Sequence, residues 1–168
     1  MKLINWKDDF LKRVVIIGAG ASGMLAAKVA SDRGYKVIVL EKQKRCGQKL
    51  LITGKGRCNI TNNCEIEELI ENVPTNGKFL YSAFYTFTND QVIDMFNDLG
   101  VETKTERGKR VFPVSDKAVD VVRALEKQMR SNKNVEVLLN SKVDKIEAQD
   151  GKVKKVILSD KREIECDS

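Results

Sequence analysis

Two short apolar runs near the start of the chain are separated by a helix-like segment of small residues. Val14–Ile17 and Lys36–Leu40 each fit a buried strand, because they lack the polar alternation of a half-exposed one. Between them, small residues from Ala21 onwards suit a helix that packs closely on a sheet, and Gly34 suits a left-handed helix cap. This order predicts a βαβ unit with parallel strands.

Apolar residues recur at helical spacing further along the chain. The spacing predicts helices over Glu65–Glu71 and Lys78–Phe87, then one that Thr88 or Asn89 caps and Gly100 ends. In the second of these the apolar positions are Phe79, Leu80, Ala83, Phe84 and Phe87. A later helix, capped by Ser115 or Asp116, has an apolar side formed by Ala118, Val122, Leu125 and Met129.

Other segments fit strands. Val101–Thr105 and Arg110–Val114 suit a hairpin around Arg107-Gly108-Lys109, and Val135–Leu139 suits a third parallel strand. We therefore predict an α/β fold built on a Rossmann-like parallel sheet with helices.

After Leu139 the pattern becomes antiparallel. Lys142–Ala148 and Lys152–Leu158 flank Asp150-Gly151, a strong hairpin turn pair, and Arg162–Cys166 fits one more strand. These strands predict a small antiparallel hairpin or meander addition to the parallel sheet. The first 12 residues form a polar leader, in which Ile4, Trp6, Phe10 and Leu11 suit a short helix.

The first strand runs directly into the glycine pattern Gly18-x-Gly20-x-x-Gly23. In a dinucleotide-binding fold the first glycine allows a tight turn, the second lets a diphosphate approach the backbone, and the third allows close helix packing. The helix that begins near Ala21 directs its free N–H groups and positive dipole end towards that diphosphate. The alternative is a strand-turn-helix unit without a ligand.

Glu41 directly follows the second strand. A carboxylate at this position accepts hydrogen bonds from the ribose hydroxyls of an adenine dinucleotide and repels a 2′-phosphate. This part of the pattern fits NAD nearly as well as FAD, so an NAD-dependent dehydrogenase stays open here.

Composition narrows the function classes. The chain has 168 residues and no histidine, which excludes histidine-based catalysis. Because its four cysteines also lack a CxxC pair, the sequence gives no support to a metal site. Sparse cysteines suggest a reducing cytoplasm, and no apolar run approaches the roughly 20 residues of a membrane span. The net charge of +6 comes from basic residues mixed with acidic ones, which does not favour a nucleic-acid partner.

A second motif, Lys49-Leu-Leu-Ile-Thr-Gly-Lys-Gly-Arg-Cys-Asn-Ile-Thr-Asn62, is the most specific segment. Its glycines suit a loop that exposes backbone N–H groups, and Lys49 and Arg57 add positive charge. Together with the first glycine pattern and Glu41-Lys42, it resembles the YhiN/BaiN-like NAD(P)/FAD-dependent oxidoreductases. The segment from Gly108 to Ala118 is also similar to that family.

The resemblance implies FAD as cofactor and a role for each matching residue. The diphosphate would contact Gly18, Gly20, Ala21, Ser22 and Gly23, and the adenosine would contact Glu41, Lys42 and the backbone of Val143. The flavin side would be lined by Gln48, Lys49, Thr53, Gly54, Arg57, Cys58 and Asn59. No acid, base or nucleophile is assigned. Simpler alternatives to cofactor binding are that Lys49 and Arg57 are solvated surface charges and that Cys58 is a small side chain packed in the core.

The resemblance covers the N-terminal part of such enzymes. The family's later Ala-Thr-Gly-Gly strand, its inserted domain and its C-terminal flavin contacts have no counterpart before Ser168. We therefore expect residues 1–168 to be the N-terminal portion of a two-dinucleotide-type FAD-binding domain, a fragment of a longer flavoenzyme that uses NAD(P)H and a small-molecule substrate.

Three other hypotheses stay open from the sequence. The chain could be a small standalone domain, or a nucleotide-binding module without catalysis. Cys58 and Cys64 could also form a redox dithiol beside the flavin, although their spacing matches no recognised pair.

Overall fold

The computed structural model of this protein describes residues 12–168. The predicted leader helix with Ile4, Trp6, Phe10 and Leu11 lies outside the described residues. Three short 3₁₀ turns span Leu50–Gly56, Gly77–Leu80 and Arg107–Lys109. In chain order the other elements are β1 (Arg13–Ile17), α1 (Ala21–Asp32), β2 (Lys36–Leu40), β3 (Thr61–Asn62), α2 (Ile66–Glu71), α3 (Tyr81–Thr86), α4 (Asn89–Asp98), β4 (Thr103–Glu106), β5 (Arg110–Pro113), α5 (Ala118–Arg130), β6 (Val135–Leu138), β7 (Val143–Gln149), β8 (Lys152–Leu158) and β9 (Glu163–Glu165).

The chain divides into two compact units. Among the described residues, the first comprises residues 12–49 and Leu125–Ser168, and the second comprises Leu50–Ala124. The boundary between them falls within α5. No helix among residues 12–168 combines the length and the apolar character that crossing a membrane requires.

A parallel sheet forms the centre of the first unit. Its strand order is β1-β2-β6, with Val15 opposite Ile38 and Val39 opposite Val137. The central strand β2 is buried along its whole length, which explains its uninterrupted apolar run. The predicted α/β fold with a Rossmann-like parallel sheet is confirmed.

The predicted antiparallel addition is the sheet β7-β8-β9. Asp150 and Gly151 both have positive φ, 52° and 71°, as a tight hairpin turn between twisted strands requires. The two sheets of this unit share a core in which Ile38 and Leu40 of β2 lie with Leu158 and Ile164. The order of strands along the chain therefore correctly indicated both sheets.

Helix α1 packs very closely against the end of β1. A Cβ atom on Gly23 would lie 2.0 Å from the carbonyl oxygen of Gly18, so only glycine fits there. The helix ends as expected, because Gly34 has a φ of +87° and its N–H donates to the Ser31 carbonyl.

The second unit contains its own antiparallel sheet, β3-β5-β4, together with helices α2 to α4. The predicted hairpin is β4 with β5, and Thr103 lies opposite Pro113. Thr88 caps α4 in a capping box with Gln91, and Gly100 follows the helix with a φ of +80°. Strand β3 is a two-residue strand that the sequence pattern did not reveal.

The segment predicted as one helix over Lys78–Phe87 is divided. Gly77–Leu80 forms a 3₁₀ turn and only Tyr81–Thr86 is α-helical. Because a 3₁₀ turn has three residues per turn, it shifts the angular positions that an α-helical pattern assumes. Phe79 is accordingly 85% exposed instead of lying on a common apolar face.

We expect Gly23→Ala to lower the free energy of unfolding by about 1–3 kcal/mol, because the added methyl group meets the Gly18 carbonyl. Urea denaturation measures this change. The sign is diagnostic, since alanine in place of glycine inside a helix normally stabilises it by about 0.5–1 kcal/mol. Ala26→Gly, at an exposed position of the same helix, measures that propensity effect separately. A more stable Gly23→Ala protein would contradict the packing argument.

Candidate functional site

The turn between β1 and α1 contains two glycines, and the structure explains the need for glycine differently at each position. Gly18 has a φ of +101°, which favours glycine, and its N–H donates to the Leu40 carbonyl at 2.7 Å. Gly20 has an ordinary φ of −79°, and a Cβ atom there would meet no atom within 4 Å. Neither backbone conformation nor internal packing therefore requires glycine at position 20, which faces open space.

Helix α1 begins at this open space. Its N-cap residue is Gly20, so no side chain caps the helix among the residues that the structure describes. The first N–H groups of a helix have no partner inside it, and together with the helix dipole they attract anions. Ala21 and Ser22 are exposed in this first turn.

Glu41 ties the turn to the end of β2. It is 9% exposed, and its Oε2 atom accepts a hydrogen bond from the Ala19 N–H at 2.8 Å. Its Oε1 atom accepts one from the Gln43 N–H, also at 2.8 Å. A carboxylate has about four acceptor positions, so each oxygen can accept one more hydrogen bond from a ligand.

A cavity of about 350 Å³ opens beside this carboxylate. Its lining comprises Ile17, Gly18, Leu40, Glu41, Lys42, Ser141, Lys142 and Val143. The structure thus brings together four predicted site residues, Gly18, Glu41, Lys42 and Val143. The volume of the cavity lies near the lower end of the range found for small-molecule sites, so the cavity suits a nucleoside better than a whole dinucleotide.

Four cavity residues were missed by the sequence analysis: Ile17, Leu40, Ser141 and Lys142. Ile17 is the last residue of β1 and is 51% exposed, which is unusual for the end of an apolar strand. Ser141 and Lys142 lie between β6 and β7, where the Ser141 N–H donates to the Glu41 carbonyl at 2.8 Å. The Lys142 carbonyl accepts a hydrogen bond from the Ser159 N–H at 2.9 Å. The only sequence signal for these cavity residues was that Lys142 is adjacent to Val143, which the family resemblance had indicated.

The residues present fit an adenine dinucleotide. Gly20 leaves room beside the uncapped start of α1, Glu41 retains acceptor positions, and the cavity has apolar walls at Ile17 and Val143. Gln48 and Lys49 of the same unit are both exposed, and Gln48 accepts a hydrogen bond from Arg45 Nε at 2.9 Å.

The remaining predicted residues, from Thr53 to Asn59, form a loop of the second unit. Gly54, Lys55, Gly56 and Cys58 all have positive φ, between 54° and 87°. A Cβ atom on Gly54 would lie 2.8 Å from the Asn59 nitrogen and 3.0 Å from the Phe112 ring, so glycine is required there. Inside the loop, the Cys58 N–H donates to the Thr53 carbonyl at 3.1 Å. Such a succession of turns is typical of backbone anion-binding loops.

Arg57 is paired within the second unit. Its guanidinium donates to both carboxylate oxygens of Glu106 at 2.9 Å and to Asp116 at 3.0 Å. It also lies 4.0 Å above the Phe112 ring. The hydrogen bonds to Glu106 raise the pKa of Arg57 and lower that of Glu106. Arg57 is therefore neither a solvated surface charge nor a free positive charge.

The cysteines are not activated. All four are free thiols in the described part of the chain. Burial, with the nearby Glu126 carboxylate, raises the pKa of Cys46 to about 11. Burial also raises the pKa of Cys58, and desolvation raises that of Cys64. Because the thiolate is the reactive form, this arrangement gives no support to a Cys58–Cys64 redox pair.

Residues 12–168 match the family described as HI0933-like protein Rossmann domain. The 3-dehydro-bile acid delta(4,6)-reductase of Clostridium scindens is 36% identical over 73% of this chain and 30% of that protein. The ribosomal RNA dihydrouridine synthase of Escherichia coli is 33% identical over 77% of this chain and 31% of that protein. The chain thus matches about a third of the length of these relatives.

Solved structures share the fold. A flavocytochrome c3 fumarate reductase in its open conformation aligns with a TM-score of 0.67 and 20% identity, covering 95% of this chain and 33% of that one. The 3-ketosteroid-delta4-(5alpha)-dehydrogenase from Rhodococcus jostii RHA1 aligns with a TM-score of 0.66 and 15% identity, covering 97% and 45%.

These findings confirm the resemblance inferred from the two glycine motifs and FAD as the cofactor. The family match covers the whole described chain, and two relatives exceed 30% identity over more than two thirds of it. The chain therefore belongs to the HI0933-like Rossmann-domain family.

Proposed function

We propose that this chain is the FAD-binding portion of a flavin enzyme that reduces a carbon–carbon double bond conjugated with a carbonyl group. The observation that carries the FAD placement is the geometry at Gly20, where open space adjoins the uncapped start of α1. A dinucleotide's diphosphate would lie there, contacting Gly18, Gly20, Ala21, Ser22 and Gly23.

The adenosine would occupy the cavity beside Glu41. The remaining acceptor positions of the carboxylate would bind the two ribose hydroxyls, and Ile17 and Val143 would contact the flat adenine ring. Lys42 lines the same cavity and would add a positive charge near the nucleotide. In this arrangement the protein uses one charged group for the ribose and mainly apolar contact for the base.

The flavin side of the cofactor would be contacted by residues of the second glycine motif. For Gln48, Lys49, Thr53, Gly54, Cys58 and Asn59 we propose the contacts that the family resemblance implies. Arg57 belongs to the same set, but its charge is compensated by Glu106 and Asp116. The loop would therefore approach the flavin mainly with backbone groups and small side chains.

When bound, FAD supplies the electron chemistry, while the protein binds, orients and tunes it. The residues of this chain bind the nucleotide and form the walls of its site. None of them is proposed as an acid, base or nucleophile. The electron donor we propose is NADH or NADPH. Glu41 has no part in choosing between these two, because it would bind the ribose of FAD itself.

The substrate class follows from the names of two relatives. One is named as a delta(4,6)-reductase of a 3-dehydro-bile acid, and the other for making dihydrouridine. Both names denote saturation of a carbon–carbon double bond near a carbonyl group. We propose the same reaction for the enzyme to which this chain contributes, with a small molecule as substrate. The mixture of 30 basic and 24 acidic residues gives no particular support to a nucleic-acid substrate.

We also propose that residues 1–168 work as the N-terminal portion of a longer, two-dinucleotide-type FAD domain. The support is that the matched relatives are about three times as long as the aligned region. A nucleotide-binding module without catalysis is the competing function, and the experiments below separate the two.

We expect Gly20→Val to abolish FAD binding, because the side chain would fill the space beside the first turn of α1. Isothermal titration calorimetry with FAD measures the affinity, and circular dichroism checks that the variant is folded. Ala26→Val, on an exposed position of α1, is the matched control and should bind FAD normally. Unchanged affinity in Gly20→Val would place the diphosphate elsewhere.

Glu41→Gln should weaken FAD binding by about ten- to a hundredfold, which corresponds to about 1.5–3 kcal/mol for hydrogen bonds to a charged group. Titration must be done below the melting temperature, because Glu41 also accepts N–H groups from Ala19 and Gln43. Asp144→Asn removes an exposed carboxylate beside Val143 and serves as the control. If both variants bind FAD equally well, the ribose placement is wrong.

Anaerobic addition of NADH or NADPH to the FAD-loaded longer enzyme that contains this chain should bleach the visible flavin absorbance, and a conjugated enone should restore it. A saturated ketone is the control acceptor and should leave the protein bleached. Dithionite establishes that the bound flavin can be reduced. A flavin that only dithionite bleaches would favour the non-catalytic module for this chain over the proposed reductase portion.

A further inference from the structure

Four charged side chains of the second unit form a closed ring of ion pairs. This charge ring comprises Arg57, Lys104, Glu106 and Asp116. Arg57 binds Glu106 through two parallel hydrogen bonds of 2.9 Å and Asp116 through one of 3.0 Å. Lys104 closes the ring, with Nζ 2.7 Å from Asp116 and 3.5 Å from Glu106.

The ring joins three separate parts of the chain. Arg57 belongs to the glycine loop, Lys104 and Glu106 belong to β4, and Asp116 follows β5. Asp116 also lies in the segment from Gly108 to Ala118, which resembles the family but has no assigned contact with the cofactor. The ring therefore gives this segment a physical connection to the loop.

Phe112 of β5 supports the same loop from beneath. Its ring lies 4.0 Å from the Arg57 guanidinium carbon and 3.0 Å from the position of a Cβ atom on Gly54. Phe112 itself is 2% exposed, so it is fixed by its surroundings. Both ends of the Gly54–Arg57 turn thus rest on one buried aromatic side chain.

The arrangement is stronger than an ordinary surface ion pair. Exposed pairs contribute little, but a two-pronged arginine–carboxylate contact within a network is the recognised exception. The hydrogen bonds of Lys104 and Arg57 also lower the pKa of Asp116, so both carboxylates are charged at neutral pH. Two negative and two positive charges leave the ring neutral.

We propose that Glu106 and Asp116 are positioning residues that hold the Gly54–Cys58 loop in its cofactor-binding conformation by acting through Arg57. This inference rests on the proposed function, in which that loop contacts the flavin side of FAD. It assigns Arg57 a mainly mechanical part: the guanidinium fixes the loop, and backbone groups meet the cofactor.

A double-mutant cycle tests the proposal. Glu106→Gln should raise the Kd for FAD by about five- to twentyfold, as expected for coupled residues in one network. Asp116→Asn should act in the same direction, and asparagine tolerates the φ of +55° at this position. In an Arg57→Met background, Glu106→Gln should cause no further loss, because its effect is transmitted through Arg57. Additive losses would overturn the proposal.

Glu102→Gln is the matched control, since Glu102 is an exposed carboxylate just before β4. It should leave the Kd for FAD unchanged. A wild-type chain that binds no FAD contradicts the proposed function, whereas a wild-type chain that binds FAD as tightly as Glu106→Gln contradicts only the positioning role.

Hydrogen exchange without FAD gives an independent readout. Amides of residues 54–58 should exchange faster in Glu106→Gln and Asp116→Asn than in wild type or Glu102→Gln. Equal exchange in all four proteins would show that the ring does not order the loop.

Discussion

The buried carboxylate of Glu41 is the interaction on which the first unit depends. A carboxylate that is 9% exposed must be hydrogen-bonded, and the backbone N–H groups of Ala19 and Gln43 meet that need. In return, the turn between β1 and α1 is held against the end of β2. The same side chain therefore stabilises the glycine turn and presents acceptor positions to a nucleotide. These internal hydrogen bonds fix the carboxylate in place, and a group that is already fixed lowers the ordering cost of binding.

Much of this unit could be predicted because its determinants are local. The run from Val14 to Ile17, the spacing of Gly18 and Gly23, and the Asp150-Gly151 turn each fix a structure through neighbouring residues. Parallel pairing of β1 with β2 then follows from the crossover helix between them. The exposed side chain of Ile17 could not be foreseen, because its exposure depends on where the distant β6–β7 connection lies.

The second unit was less predictable because its determinants are contacts between residues that are distant in the sequence. Strand β3 has only two residues, Thr61 and Asn62, and exists because β5 lies beside it. The partners of Arg57 are remote in sequence, and nothing near Arg57 indicates that Glu106 and Asp116 compensate its charge. A basic residue in a glycine-rich loop suggests phosphate binding by composition alone. The structure shows instead that long-range ion pairs can compensate the charge of such a residue.

The relation between this chain and its relatives follows from which end of FAD this chain is proposed to bind. The cavity beside Glu41 suits an adenosine, which is at the opposite end of FAD from the reactive ring. Residues that bind this end are indifferent to the molecule being reduced. Relatives of 36% and 33% identity can therefore carry names with quite different substrates, a bile acid and a ribosomal RNA. Under the proposed function the glycine loop contacts the flavin side of FAD, so differences between these proteins in that loop and in the charge ring should affect the reaction more than differences beside Glu41.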